Sequence, residues 1–131
     1  MEYVTGQRVK ELLLSTPGLS PTLMQRIGTD VAALHCAGII HGDLTTSNMI
    51  WRDEAVVFID FGLGEFSPEI EKQAVDLHLF KQALKSTHYE QWEHYWGMFC
   101  DAYRKRSEMG EAVIERIAEI EKRGRYIDRS E

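Results

Sequence analysis

Two short β-rich runs sit inside a chain that is otherwise patterned for helices. Met49-Ile50-Trp51 and Val56-Val57-Phe58-Ile59 are separated only by Arg52-Asp53-Glu54-Ala55. Runs so short and so close read as a small hairpin. Its open end is polar: His41-Gly42-Asp43-Leu44-Thr45-Thr46-Ser47-Asn48 enters the first strand and Asp60 leaves the second. A two-stranded hairpin returns its exit beside its entry, so Asp43, Asn48 and Asp60 are expected at one end of it.

The remaining pattern is helical. Val9, Leu12 and Leu13 mark a short helix over Gln7–Leu14, ended by Thr16-Pro17-Gly18. Ser20-Pro21 reads as an N-cap with proline in the first turn. The helix it opens runs to about Ala37, with Gly38 beyond its end. Ser67-Pro68 repeats that signature for a helix to about Lys85. Thr87-His88-Tyr89-Glu90 has capping-box spacing and is expected to open a helix carrying Trp92, Tyr95, Trp96, Phe99 and Tyr103. A last helix over about Glu111–Lys122 buries Val113, Ile114, Ile117 and Ile120. The expected class is α+β, mostly α-helical. The 131 residues, 44% hydrophobic and 27% charged, suit a single domain.

The net charge of −6 argues against a surface devoted wholly to nucleic acid, though not against one local basic patch. No apolar run is long enough to span a membrane, and the first residues lack the pattern of a signal peptide. Cys36 and Cys100 have no zinc-site spacing and are expected to be buried free thiols of a cytoplasmic protein. The aromatic stripe Trp92, Trp96, Phe99, Tyr103 reads as core. His78, His88 and His94 read as polar-face or capping residues.

Two carboxylates and an amide oxygen at one edge suit a hard cation whose shell is completed by phosphate oxygens and water. An acidic group left free of metal can orient a hydroxyl or water for in-line attack.

The pattern H-x-D-x-x-x-x-N followed by D-F-G resembles the catalytic loop and metal motif of protein kinases. The resemblance implies the C-terminal lobe of a kinase-like fold over residues 1–131, beginning at the hinge (residues 1–6). It implies that Asp43 is the catalytic acid/base, that Asn48 and Asp60 hold Mg²⁺, and that His41 buttresses the loop. Asp76 resembles the buried helix aspartate that anchors that loop. Met1-Glu2-Tyr3-Val4 looks like a hinge, with the Glu2 carbonyl and Val4 N–H meeting the adenine of ATP, and with Ile50 and Ile59 beside the nucleotide.

The departures narrow the resemblance. Gly42 replaces the usual arginine, Thr45 stands where many kinases have a lysine, and no A-P-E occurs. Asp76 lies only fourteen positions after Gly62, too close for a full activation segment. H-G-D-L-T-T-S-N-M-I, V-F-I-D-F-G-L-G and A-V-D-L together resemble the small atypical kinase subunit of the KEOPS complex, the p53-related protein kinase family. That family implies a Mg²⁺-dependent Ser/Thr kinase or ATPase supporting threonylcarbamoyladenosine modification of tRNA. It implies KEOPS subunits as partners, the threonylcarbamoyl-transferase subunit above all. It also implies a basic tail (residues 122–131) that reaches toward partner and tRNA through Lys122, Arg123, Arg125 and Arg129.

No Gly-rich phosphate loop, strand lysine or partner glutamate is found in the sequence. The chain is therefore expected to be one lobe of a larger protein and to bind nucleotide poorly alone. Two alternatives remain. One is a non-catalytic docking lobe that binds a KEOPS partner and tRNA. The other is a small-molecule phosphotransferase of the aminoglycoside or choline type, which shares H-G-D-x-x-x-x-N but usually carries longer helical insertions. Kinases of the RIO type are a further relative, whose metal motif generally lacks the Phe61-Gly62 pair in this form.

Overall fold

The computed structural model describes residues 6–61 and 64–129, with side chains as far as Gly124. The described elements are β1 (Gln7–Arg8), α1 (Val9–Ser15), α2 (Ser20–Cys36), β2 (Ile39–Ile40), β3 (Met49–Arg52), β4 (Ala55–Phe58), β5 (Glu65–Phe66), α3 (Ile70–Thr87), α4 (Trp92–Arg106) and α5 (Gly110–Arg129). One-turn 3₁₀ segments cover Pro17–Leu19 and Thr46–Asn48. The expected α+β, mostly helical fold is the one observed.

The hairpin forms as its sequence requires. β3 and β4 pair antiparallel from Met49↔Phe58 to Arg52↔Ala55. The two-residue loop Asp53-Glu54 has φ of 51° and 62°, the left-handed pair of a type I′ turn, whose twist matches the strands. β1 adds a third strand through Gln7↔Trp51 and Arg8↔Ile50. The first helix therefore begins at Val9, not Gln7. A separate two-stranded sheet pairs β2 with β5, Ile39↔Phe66 and Ile40↔Glu65.

α2 starts at Ser20, but its N-cap is Leu19 and no side chain caps it. At its other end Gly38 (φ +79°) returns its N–H to the His35 carbonyl, 2.9 Å. α3 begins at Ile70, two residues past Pro68. Ser67 Oγ accepts the Glu69 N–H at 3.1 Å in a local turn instead of capping the helix. Thr87 is the last residue of α3, so the capping box is not formed, and α4 starts at Trp92 from an uncapped Gln91. α5 continues to Arg129, seven residues beyond the expected stop at Lys122.

The core lies where α2 and α4 cross, closed by α1, α3 and the first turns of α5. Leu23, Met24, Ile27 and Val31 of α2 meet Phe99 and Tyr103 of α4, with Leu77, Phe80 and Leu84 of α3 behind them. Trp92 and Trp96 pack on this core as partly buried rings. Both cysteines are free, but Cys36 is exposed. It falls outside the α2 stripe that buries Ile27, Gly28, Val31, Ala32 and His35. No helix among the described residues is long and apolar enough to cross a membrane.

Candidate functional site

The loop from His41 to Asn48 joins β2 to β3 and is held from below by α3. Asp76 of α3 is 1% exposed. Its Oδ1 accepts the Gly42 N–H at 2.9 Å, and its Oδ2 accepts the His41 N–H at 3.1 Å and meets His35 Nε2 at 2.8 Å. His35 Nδ1 in turn meets the Tyr103 hydroxyl at 2.7 Å. Burial pushes the Tyr103 phenol up, so it stays neutral. A carboxyl group buried this deeply needs hydrogen-bond partners on both oxygens; each donor stripped of its acceptor would cost about 1–3 kcal/mol. Gly42 has φ +91°, a conformation that side chains rarely adopt. The absence of an arginine there is thus also a backbone requirement.

His41 is fully buried and ties the two halves of the motif together. Its Nδ1 accepts the Asp43 N–H at 3.0 Å. A nitrogen that accepts carries no proton, so in the neutral ring Nε2 does, and it donates to the Ile59 carbonyl at 2.8 Å. The ring also lies 4.3 Å from that of Phe61.

Asn48 closes the loop. Its Nδ2 donates to the Asp43 carbonyl and to Asp43 Oδ2, both at 3.0 Å. Both partners only accept, which fixes the amide's orientation and leaves Oδ1 free to face a ligand. The Asn48 carbonyl accepts the Ile59 N–H at 2.9 Å. Asp60, the next residue, is therefore delivered alongside Asn48. It is exposed, with φ +53°, a left-handed conformation that asparagine and aspartate tolerate best and that is found at functional turns.

The structure thus brings Asp43 and Asn48 into direct contact and sets Asp60 at the neighbouring backbone position. Ile50 is buried in β3, opposite Val57. Lys122 and Arg123 are exposed on α5, but Arg123 is engaged: its Nη2 meets the Glu71 carboxylate of α3 at 2.6 and 2.8 Å. Glu2 and Val4, and the side chains of Arg125 and Arg129, lie outside the described residues. Among the described residues no trio of His, Cys, Asp or Glu side chains is grouped to hold a metal. The candidate donor set is two aspartates and an amide. Its chemistry fits Mg²⁺, which takes one or two carboxylates and leaves its other positions to water and phosphate.

Sequence reading missed two residues that shape this site. His35 falls on the buried stripe of α2, four residues after Val31, and that spacing was a signal. His88, read as a capping or polar-face residue, is 5% exposed, and its Nε2 lies 2.9 Å from Thr46 Oγ1. Nothing in the local pattern marks it.

Known proteins resemble the chain over nearly all of its residues. The KEOPS complex subunit Bud32 of Pyrococcus abyssi is 49% identical over 133 residues, covering 99% of this chain and 60% of that protein. The chain is thus homologous to Bud32 proteins along its whole length. A probable serine/threonine-protein kinase, the BUD32 homolog of Archaeoglobus fulgidus, is 39% identical over 98% of the chain and 62% of its own length. A probable bifunctional tRNA threonylcarbamoyladenosine biosynthesis protein of Methanothermobacter thermautotrophicus is 45% identical over 98% of the chain and 23% of its own length. A RIO-domain family model matches residues 1–64, which contain the loop, the hairpin and Asp60. The chain spans about 60% of the length of the first two Bud32 relatives.

Proposed function

We propose that these residues form the C-terminal lobe of an ATP- and Mg²⁺-dependent Ser/Thr kinase or ATPase. We infer that it acts in the cytoplasm within a KEOPS assembly that supports threonylcarbamoyladenosine modification of tRNA. The observation that carries this reading is the Asp43–Asn48 contact, with Asp60 on the adjoining backbone. Asp43 would orient a hydroxyl or water toward the terminal phosphate. Asn48 would keep that carboxylate aimed through its two Nδ2 hydrogen bonds. Asn48 Oδ1 and Asp60 would hold Mg²⁺, which supplies charge neutralisation to the phosphate oxygens. His41 would maintain the distance between the Asp43 and Asp60 backbones. Ile50 and Ile59 would line the nucleotide, with Glu2 and Val4 at its adenine edge.

The partners follow from the same reading: other KEOPS subunits, the threonylcarbamoyl-transferase subunit first, and tRNA along the basic end of α5. Lys122, Arg125 and Arg129 would be its contacts, joined by Arg123 once released from Glu71.

The test is ATP hydrolysis by the full-length protein with Mg²⁺ present. Asp43→Ala and Asp60→Ala are each expected to lower kcat by about 100-fold or more, the scale of a lost acid/base or charge-stabilising group. Parental turnover in either variant would overturn the assignment.

A further inference from the structure

α3 supports the His41–Asn48 loop at two places. Asp76, in its middle, holds the His41 and Gly42 amides. His88, the C-cap that follows the last residue of the helix, reaches the other side of the loop at Thr46. Thr46 is 2% exposed, and it begins the 3₁₀ turn that delivers Asn48. Thr45 caps that turn: the Asn48 N–H meets the Thr45 carbonyl at 3.0 Å and its hydroxyl at 3.2 Å. Thr46 and His88 stand 42 residues apart in the chain, so their contact is tertiary and orders nothing locally. His88 is itself held, packed edge-on against Tyr95 of α4 with ring centroids 5.7 Å apart.

We propose that His88 is a positioning residue: it pins Thr46, and thereby sets the height at which Asn48 presents its amide to Asp43 and to a ligand. The proposal rests on reading Asp43 and Asn48 as the reactive pair. The Asp43–Asn48 contact spans five residues with two hydrogen bonds at 3.0 Å. A shift of the turn by a fraction of an ångström would break the geometry of both, because hydrogen bonds weaken steeply with misalignment. With Asp76 fixing the loop's entry, His88 fixes its exit. One rigid helix then sets the distance between the two functional residues.

The experiment uses the full-length protein and three substitutions: His88→Ala, Thr46→Val and, as the hydroxyl-retaining control, Thr46→Ser. Two quantities are read: the Mg²⁺ dependence of ATP turnover, and hydrogen exchange at the Asn48 amide. His88→Ala and Thr46→Val are expected to raise the half-saturating Mg²⁺ concentration and the Asn48 exchange rate by about tenfold each, the scale of one hydrogen bond. Thr46→Ser should stay within about twofold of the parent, and the double variant should be no worse than either single one. If His88→Ala lowers only the melting temperature, with both readouts parental well below it, the residue is merely structural and the proposal falls. If His88→Ala does not fold, Thr46→Val decides alone. If the parent shows no Mg²⁺-dependent turnover, the kinase or ATPase reading falls instead, and exchange at Asn48 still decides the role of His88.

Discussion

Cys36 and Cys100 carry the same thiol in opposite surroundings. Cys100 is 4% exposed on α4, and burial pushes its thiol up to about 12. The reactive species is the thiolate, so at neutral pH Cys100 is both shielded and unionised. Cys36 is exposed at the end of α2, with Arg106 Nη1 3.8 Å from its sulfur. A thiol reagent at pH 8 is expected to label one equivalent of the folded chain and a second only after unfolding. Cys36→Ser should abolish the first. Two equivalents labelled rapidly in the folded chain would show that α4 opens far more readily than its packing implies. The same distinction separates what sequence shows from what it hides at single residues. Asp76 was legible because A-V-D-L resembles a known pattern. His88 was not, because burial of a polar side chain follows from a partner 42 residues away.

At the scale of elements, the readable features were those whose side chains repeat with the period of the backbone. The apolar stripe of α2 and the paired β-rich runs of the hairpin are both of this kind. β1 escaped because Gln7 and Arg8 are exposed, and they join the sheet through backbone hydrogen bonds alone. The starts of α3 and α4 escaped because Ser67-Pro68 and Thr87–Glu90 have capping composition, yet Ser67 closes a local turn onto Glu69 and Thr87 is spent as the last residue of α3. The α2–α4 crossing has one position of its own. A Cβ added at Gly28 would lie 2.5 Å from the Phe99 carbonyl oxygen and 2.8 Å from Ala102 Cβ. Glycine inside a helix costs about 1 kcal/mol relative to alanine; here it lets the two backbones approach. Gly28→Ala is therefore expected to destabilise the chain by about 2 kcal/mol net, since overpacking against backbone costs up to ~3 kcal/mol. Urea unfolding checks the sign. A gain in stability would mean that α2 and α4 separate without loss.

At the scale of the molecule, α3 is the common support. It meets the His41–Asn48 loop through Asp76 and through His88 at its C-cap, and it meets α5 through Glu71 with Arg123 and through the ion pair of Lys81 with Glu121 at 3.0 Å. Two histidines, His78 within α3 and His88 at its C-cap, are pushed toward the neutral form by burial. His88 is pushed below the ordinary histidine value by burial, with Lys10 adding to the push. His78 is pushed down by burial against an opposing pull from Glu121, with Lys81 and Lys85 adding to the push, and its Nδ1 is buried with no hydrogen-bond partner among the described residues. Both groups bind protons more weakly in the folded chain than in the unfolded one. The unfolded chain therefore takes up more protons as pH falls below about 6.5, and stability falls with it until the folded-state values are passed. Above about pH 7.5 the full stability is present. Among the carboxylates, Glu71 is held down mainly by its hydrogen bond from Arg123, and Asp30 is raised by burial. The urea midpoint is expected to drop steadily between about pH 7.5 and 5.5. His78→Gln, which removes one of the two groups and touches no residue of the loop, should flatten that slope. A midpoint that holds or rises on acidification would mean that the two rings reach protons and counter-charges in the folded chain, contrary to the packing of α3 against α4 and α5.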